Sequence, residues 1–119
     1  MLSITLLNEI PQDKKVIIDF YADWCGPCIK IGPEFVALSK KYTDIVFLKV
    51  DVDSADEIVQ KYNISCMSTF IFINNGEIHK TQTGANLKLL HFCTFKMPTL
   101  FIVFFKNVKK LLFLNKITY

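Results

Sequence analysis

Residues 16–22, Val16-Ile17-Ile18-Asp19-Phe20-Tyr21-Ala22, are apolar almost without interruption and rich in β-branched and aromatic side chains, a pattern that predicts a strand buried on both faces. Asp19 is its one charged position. Over residues 25–41 the period changes. Ile29, Ile31, Phe35, Val36 and Leu38 recur at mixed spacings of three and four, with Lys30, Glu34, Lys40 and Lys41 between them, which predicts an amphipathic helix despite Pro33 inside it. Residues 44–53 predict a second strand, apolar at Ile45, Val46, Leu48, Val50 and Val52, parallel to the first because a helix joins them. A helix over 55–62 buries Ile58, Val59 and Tyr62. A strand over 69–73, a turn at Asn74-Asn75-Gly76 and an edge strand over 77–83, with His79 toward solvent, make a hairpin. A last helix over 87–97 turns Leu90, Thr94 and Met97 inward and stops at Pro98. At the start, Ser3 is positioned to cap a short helix with Leu6, Leu7 and Ile10 on one edge, ended by Pro11.

These elements predict an α/β fold: a mixed central sheet of about four strands with helices on both faces, in one domain over residues 1–97. Residues 98–119 are then an extension, hydrophobic at Leu100-Phe101-Ile102-Val103-Phe104-Phe105 and Lys-rich after that. Lys96 and Lys106 bound its apolar run well short of the ~20 residues that span a bilayer. It is expected to pack on its own domain or to self-associate weakly, and otherwise the chain is a monomer.

The 119 residues are 51% hydrophobic, which excludes disorder as a description of the whole chain. Charge is uneven: residues 1–77 hold all 11 acids and 7 lysines, whereas residues 78–119 hold 7 lysines and no acid. Arginine is absent and the lysines at 80, 88 and 96 are scattered, so no nucleic-acid recognition pattern emerges. Asp51 and Asp53 read as strand-end and helix-cap residues, since no calcium-loop spacing follows them. Four cysteines, two of them isolated, fall short of a disulfide scaffold and favour a reducing compartment. The first ten residues lack the basic region of a secretory signal, so the expected location is the cytoplasm.

The chemistry concentrates at Trp24-Cys25-Gly26-Pro27-Cys28, where the first strand hands over to the first helix. Cys25 falls in the first helical turn, whose unpaired N–H groups and positive dipole end favour a thiolate. Cys28 lies on the same helical face, close enough to close a small reversible disulfide. Gly26 permits close backbone approach, and Pro27 lacks an N–H that would have had no partner there. Half a zinc site and a purely structural disulfide are the competing readings; zinc would need a second pair of ligands, which Cys66, Cys93, His79 and His91 do not form by spacing.

From about Ser3 to about Met97 the chain resembles the thioredoxin family. The resemblance rests on Trp24 to Cys28, on Ile18-Asp19-Phe20 before them, on Pro33, on Phe47-Leu48-Lys49-Val50-Asp51-Val52-Asp53, and on Gly76 and Gly84-Ala85-Asn86. It implies a protein-disulfide reductase, with Cys25 as nucleophile, Cys28 as resolving thiol, Asp19 as the buried carboxylate behind them and Lys49 as its charged neighbour. Trp24, Gly26, Pro27, Met67, Ser68, Thr69 and Gly84 would receive substrate. No bound cofactor or metal is implied; electrons would come from NADPH through thioredoxin reductase, and the substrates would be disulfide-containing proteins. Cys66 and Cys93 read as small apolar fillers.

Two departures stand out. Thioredoxins begin with a further strand, for which this chain has no room, so that edge strand is expected to be missing. The family also carries a proline, normally cis, where this chain has Ser68 in Ile64-Ser65-Cys66-Met67-Ser68-Thr69-Phe70. A cis bond before a non-proline residue costs ~2.5–4 kcal/mol, so a trans Met67-Ser68 bond and an altered groove are expected, with the Ser68 hydroxyl bonded to nearby backbone. Met97-Pro98-Thr99 looks like that motif a second time. The alternatives to a reductase are a binding module with impaired activity, and a dimer holding a metal or iron-sulfur group through Cys25 and Cys28.

Overall fold

The computed structural model describes residues 2–97; the expectations for the extension, the helix stop at Pro98 and the repeated motif fall outside the described residues. Five strands form one mixed sheet in the order β1-β3-β2-β4-β5, from β1 (Leu2–Ser3), β2 (Lys15–Tyr21), β3 (Val46–Asp51), β4 (Thr69–Asn74) and β5 (Glu77–Thr83). The helices are α1 (Gly26–Lys41), α2 (Asp56–Lys61) and α3 over residues 87–97.

β2 lies at the centre, parallel to β3 and antiparallel to β4. Its alternation sorts the core into two layers. Val16, Ile18 and Phe20 point to one face, where they pack with Leu48, Val50, Ile71 and Ile73 beneath Ile4, Ile10 and Ile58 of α2. Ile17 points to the other, with Phe47, Phe70 and Phe72 beneath Ile31, Phe35 and Leu38 of α1 and Leu90, Cys93 and Met97 of α3. Phe35 is fully buried, its ring 5.2 Å from Phe47 and 5.7 Å from Phe70. Asp19 and Tyr21 follow Ile17 by two and four residues, so they lie on the α1 face.

Two expectations for the N-terminal segment are corrected. An edge strand is present: Leu2 and Ser3 pair in parallel with Leu48 and Lys49, and the ladder extends through a 2.9 Å bond from Ile4 N–H to the Lys49 carbonyl. Ser3 is therefore a strand residue. The short helix is a 3₁₀ turn, Leu7–Glu9, and the Glu9 carboxylate satisfies its free end by accepting from Thr5 and Leu6 N–H at 3.0 and 2.9 Å. These backbone bonds hold the Glu9 carboxyl below the ordinary glutamate range.

The hairpin turn is Asn75-Gly76, both with positive φ (51° and 81°), as a two-residue β-hairpin requires. A side chain at Gly76 would also meet Gln12 Oε1 at 2.8 Å. Among the described residues no helix is long and apolar enough to cross a membrane.

Candidate functional site

α1 runs unbroken through Pro33 from its start at the end of the β2 loop. Cys25 is its N-cap, with extended backbone, Pro27 occupies the first turn, and Lys40 and Lys41 sit at the negative end of the dipole. Cys25 and Cys28 are closed as a disulfide with Cα atoms 5.3 Å apart, and only 6% and 4% of these residues is exposed. The Cys28 N–H donates to Cys25 Sγ at 3.2 Å, a bond that also favours the sulfur as a thiolate.

Beneath the helix, Asp19 is 1% exposed and neither carboxylate oxygen has a hydrogen-bond partner among the described residues. Burial pushes its carboxyl up to about 7, against a smaller opposing pull from Lys49, its neighbour across the β2/β3 ladder. The Lys49 ammonium lies 4.2 Å from the Tyr21 ring centroid. Lys49, Tyr21 and Cys28 share a cavity of about 320 Å³ with Asp23, Ile29 and Gly32.

On the outer side, Trp24 is 69% exposed, and its indole N–H donates to Asp53 Oδ2 at 2.9 Å. Asp53 therefore serves the site rather than a helix cap; the N-cap of α2 is Ala55, without a side-chain cap. The sequence signal for Asp53 was only the general need of an indole N–H for an acceptor. Asp51 is a strand-end residue whose Oδ1 accepts from Asp53 N–H at 3.0 Å. Gly26 and Pro27 line a groove of about 560 Å³ with Lys30, Ile31, Glu34, Ala85 and Leu87, most of which periodicity had assigned only to helix faces.

The expectations for Ser68 are corrected. The Met67-Ser68 bond is cis, and Ser68 is fully buried. Its carbonyl accepts from Gly84 N–H at 2.6 Å and its hydroxyl donates to Cys28 Sγ at 2.9 Å, so the residue is fixed from two sides against the site, and its hydroxyl is not spent on local backbone. Met67 packs against the cluster of Ala22, Cys25 and Cys28, and Thr69 Oγ1 donates to the Cys66 carbonyl at 2.5 Å. Cys66 is exposed, so it is not a core filler; Cys93 is buried as one.

Residues 5–94 match the family model described as Thioredoxin. The chain belongs to the thioredoxin family. It is 49% identical to thioredoxin 1 of Plasmodium falciparum over 77 residues, which are 65% of this chain and 74% of that one. It is 51% identical to a thioredoxin of Ictalurus punctatus over 80 residues, 66% of this chain and 75% of the relative. The solved structure of Plasmodium falciparum thioredoxin superimposes with a TM-score of 0.77 at 42% identity, covering 81% of this chain and 98% of that one. With a redox-active cysteine pair at the head of α1, this thioredoxin-family chain is a thiol-disulfide oxidoreductase, and protein-disulfide reduction is the activity of its family.

Proposed function

We propose that the chain is an electron carrier of the cytoplasm that reduces protein disulfides and is itself re-reduced by thioredoxin reductase at the expense of NADPH. The observation that carries the reading is the Cys25–Cys28 pair at the N-terminus of α1, with a backbone N–H already donating to Cys25 Sγ. In the reduced protein the Cys25 thiolate attacks a substrate disulfide and forms a mixed disulfide, releasing one substrate thiolate. Cys28 then loses its proton to the Asp19 carboxylate and attacks Cys25 Sγ. The mixed bond breaks, and its electron pair leaves on the second substrate sulfur. A carboxyl held near 7 is poised for that proton transfer at neutral pH.

Substrate lies across Trp24, Gly26, Pro27, Met67, Ser68, Thr69 and Gly84; of these Trp24 is exposed and Gly26 and Pro27 line the groove, whereas Ser68 and Thr69 are buried. No bound cofactor takes part. Residues 1–97 form the functional domain, and free Cys66 and Cys93 suit a reducing compartment. The test is NADPH oxidation by thioredoxin reductase with insulin as the protein disulfide, in the presence and absence of this chain. The Cys25→Ser and Cys28→Ser variants are expected to give background turnover.

A further inference from the structure

A disulfide sulfur carries no hydrogen, so in the bond between Ser68 Oγ and Cys28 Sγ the hydroxyl is the donor, at 2.9 Å. Both residues are buried, where a hydrogen bond gains strength from the low dielectric. The two sulfurs are thus served differently. Cys25 Sγ receives the Cys28 backbone N–H and faces the positive end of α1, whereas Cys28 Sγ receives a side-chain hydroxyl from the residue just before β4, 40 positions further on. That hydroxyl is pre-aimed, because the Ser68 carbonyl is held by Gly84 N–H and the following residue, Thr69, is tied back to the Cys66 carbonyl. A proline at this position would offer no donor.

We propose that the Ser68 hydroxyl is a catalytic hydrogen-bond donor that stabilises Cys28 as the leaving thiolate whenever an outside dithiol opens the Cys25–Cys28 disulfide. The role rests on the exchange chemistry proposed above and assigns it a direction. One thiolate of the donor attacks Cys25 Sγ. The new S–S bond forms as the Cys25–Cys28 bond breaks, and its electron pair passes to Cys28 Sγ, where the Ser68 O–H meets the growing charge. The donor's second thiol, once deprotonated, attacks its own sulfur in the mixed disulfide and expels Cys25 as a thiolate. The donor ends as a disulfide, and the chain has gained two electrons and, from the donor, two protons. A better-stabilised leaving sulfur departs faster. Because Cys28 ends as a thiol, and the hydroxyl already bonds its sulfur in the disulfide, the effect falls on the rate of opening and leaves the thiol-disulfide equilibrium nearly unchanged.

The experiment is the rate of opening of the oxidised protein by dithiothreitol, followed by Trp24 fluorescence, for the native chain and for Ser68→Ala, Ser68→Pro and Ser68→Thr, with the thiol-disulfide equilibrium against dithiothreitol measured alongside. Loss of a hydrogen bond to a charged sulfur is expected to slow opening about tenfold in the Ala and Pro variants and to change the equilibrium by less than about threefold. Thr, which keeps the hydroxyl, is expected to stay within about threefold of the native chain. Hydroxyl-free variants that open as fast as the native chain overturn the proposal, and so does a Thr variant as slow as Pro. If Ala does not fold, the Pro and Thr pair still decides. Hydroxyl-dependent opening in a chain that reduces no insulin would sink the reductase reading and leave Ser68 its role; insulin turnover with hydroxyl-independent opening does the reverse.

Discussion

The indole N–H of Trp24 is held 2.9 Å from the carboxylate of Asp53, a residue 29 positions away in the turn just after β3, and this bond fixes an exposed aromatic plate beside the disulfide. An indole with a free N–H would turn among several rotamers, and a substrate would have to select one. Trp24 is the single tryptophan in the chain, so its fluorescence reports on this site. Asp53→Leu is expected to change that emission and to lower kcat/KM for insulin about fivefold, the equivalent of roughly 1 kcal/mol, with little change in unfolding midpoint because both partners are exposed.

Asp19 gives the fold a pH dependence opposite to that of a salt-bridged carboxylate. Burial raises its carboxyl to about 7, while the unfolded chain titrates near the ordinary ~3.9. Between these values the folded state holds a proton that the unfolded state has released. Its stabilising effect is therefore complete below about pH 4 and is lost as pH rises to about 7. The difference amounts to at most about 4 kcal/mol. Asp19→Asn should abolish this decline: urea unfolding at pH 5 and pH 8 should give nearly equal stabilities for the variant, which at pH 8 is the more stable protein by roughly 2–4 kcal/mol. The same variant should lose the rise in exchange rate through neutral pH, since it cannot accept the Cys28 proton.

Lys49 opposes burial at Asp19 and stacks on Tyr21. Lys49→Leu keeps most of the apolar stem and removes the charge, so the Asp19 carboxyl should rise above its present value of about 7. Both the stability decline and the pH–rate profile should move to higher pH together. Movement of one without the other would separate Asp19 from the chemistry.

Gly84 has φ +101°, a conformation that side chains avoid, although the space around it is open. Its N–H holds the Ser68 carbonyl at 2.6 Å. Gly84→Ala is expected to destabilise by about 1–3 kcal/mol through backbone strain alone, and, by loosening Ser68, to slow opening by dithiothreitol more than that stability loss explains.

Much of this was legible in the sequence because it depends on local period. The run Val16–Phe20, apolar but for Asp19, announced a central strand, and Ile31, Phe35 and Leu38 announced the helix face that covers it. Cys25 and Cys28 could be paired from a spacing of three. Leu2–Ser3 could not be recognised, since a two-residue strand shows no alternation and exists only because Leu48 and Lys49 offer it an edge. Asp53 and Ser68 could be seen as residues but not as partners. Their bonds to Trp24 and Cys28 cross 29 and 40 positions, distances that only the assembled sheet closes. Ser68 in particular looked like the loss of a proline, when its hydroxyl is aimed at a reacting sulfur.

The central claim is that Cys25 and Cys28 carry electrons from NADPH to protein disulfides, and the most direct measurement is insulin reduction coupled to thioredoxin reductase, with the Ser68→Pro variant run beside the native chain. The account predicts sustained NADPH oxidation by both proteins, abolished by Cys25→Ser, with the variant's own disulfide re-reduced the more slowly. Turnover by the Pro variant and none by the native chain would contradict it, and would leave a binding module in which the cysteine pair no longer passes electrons onward.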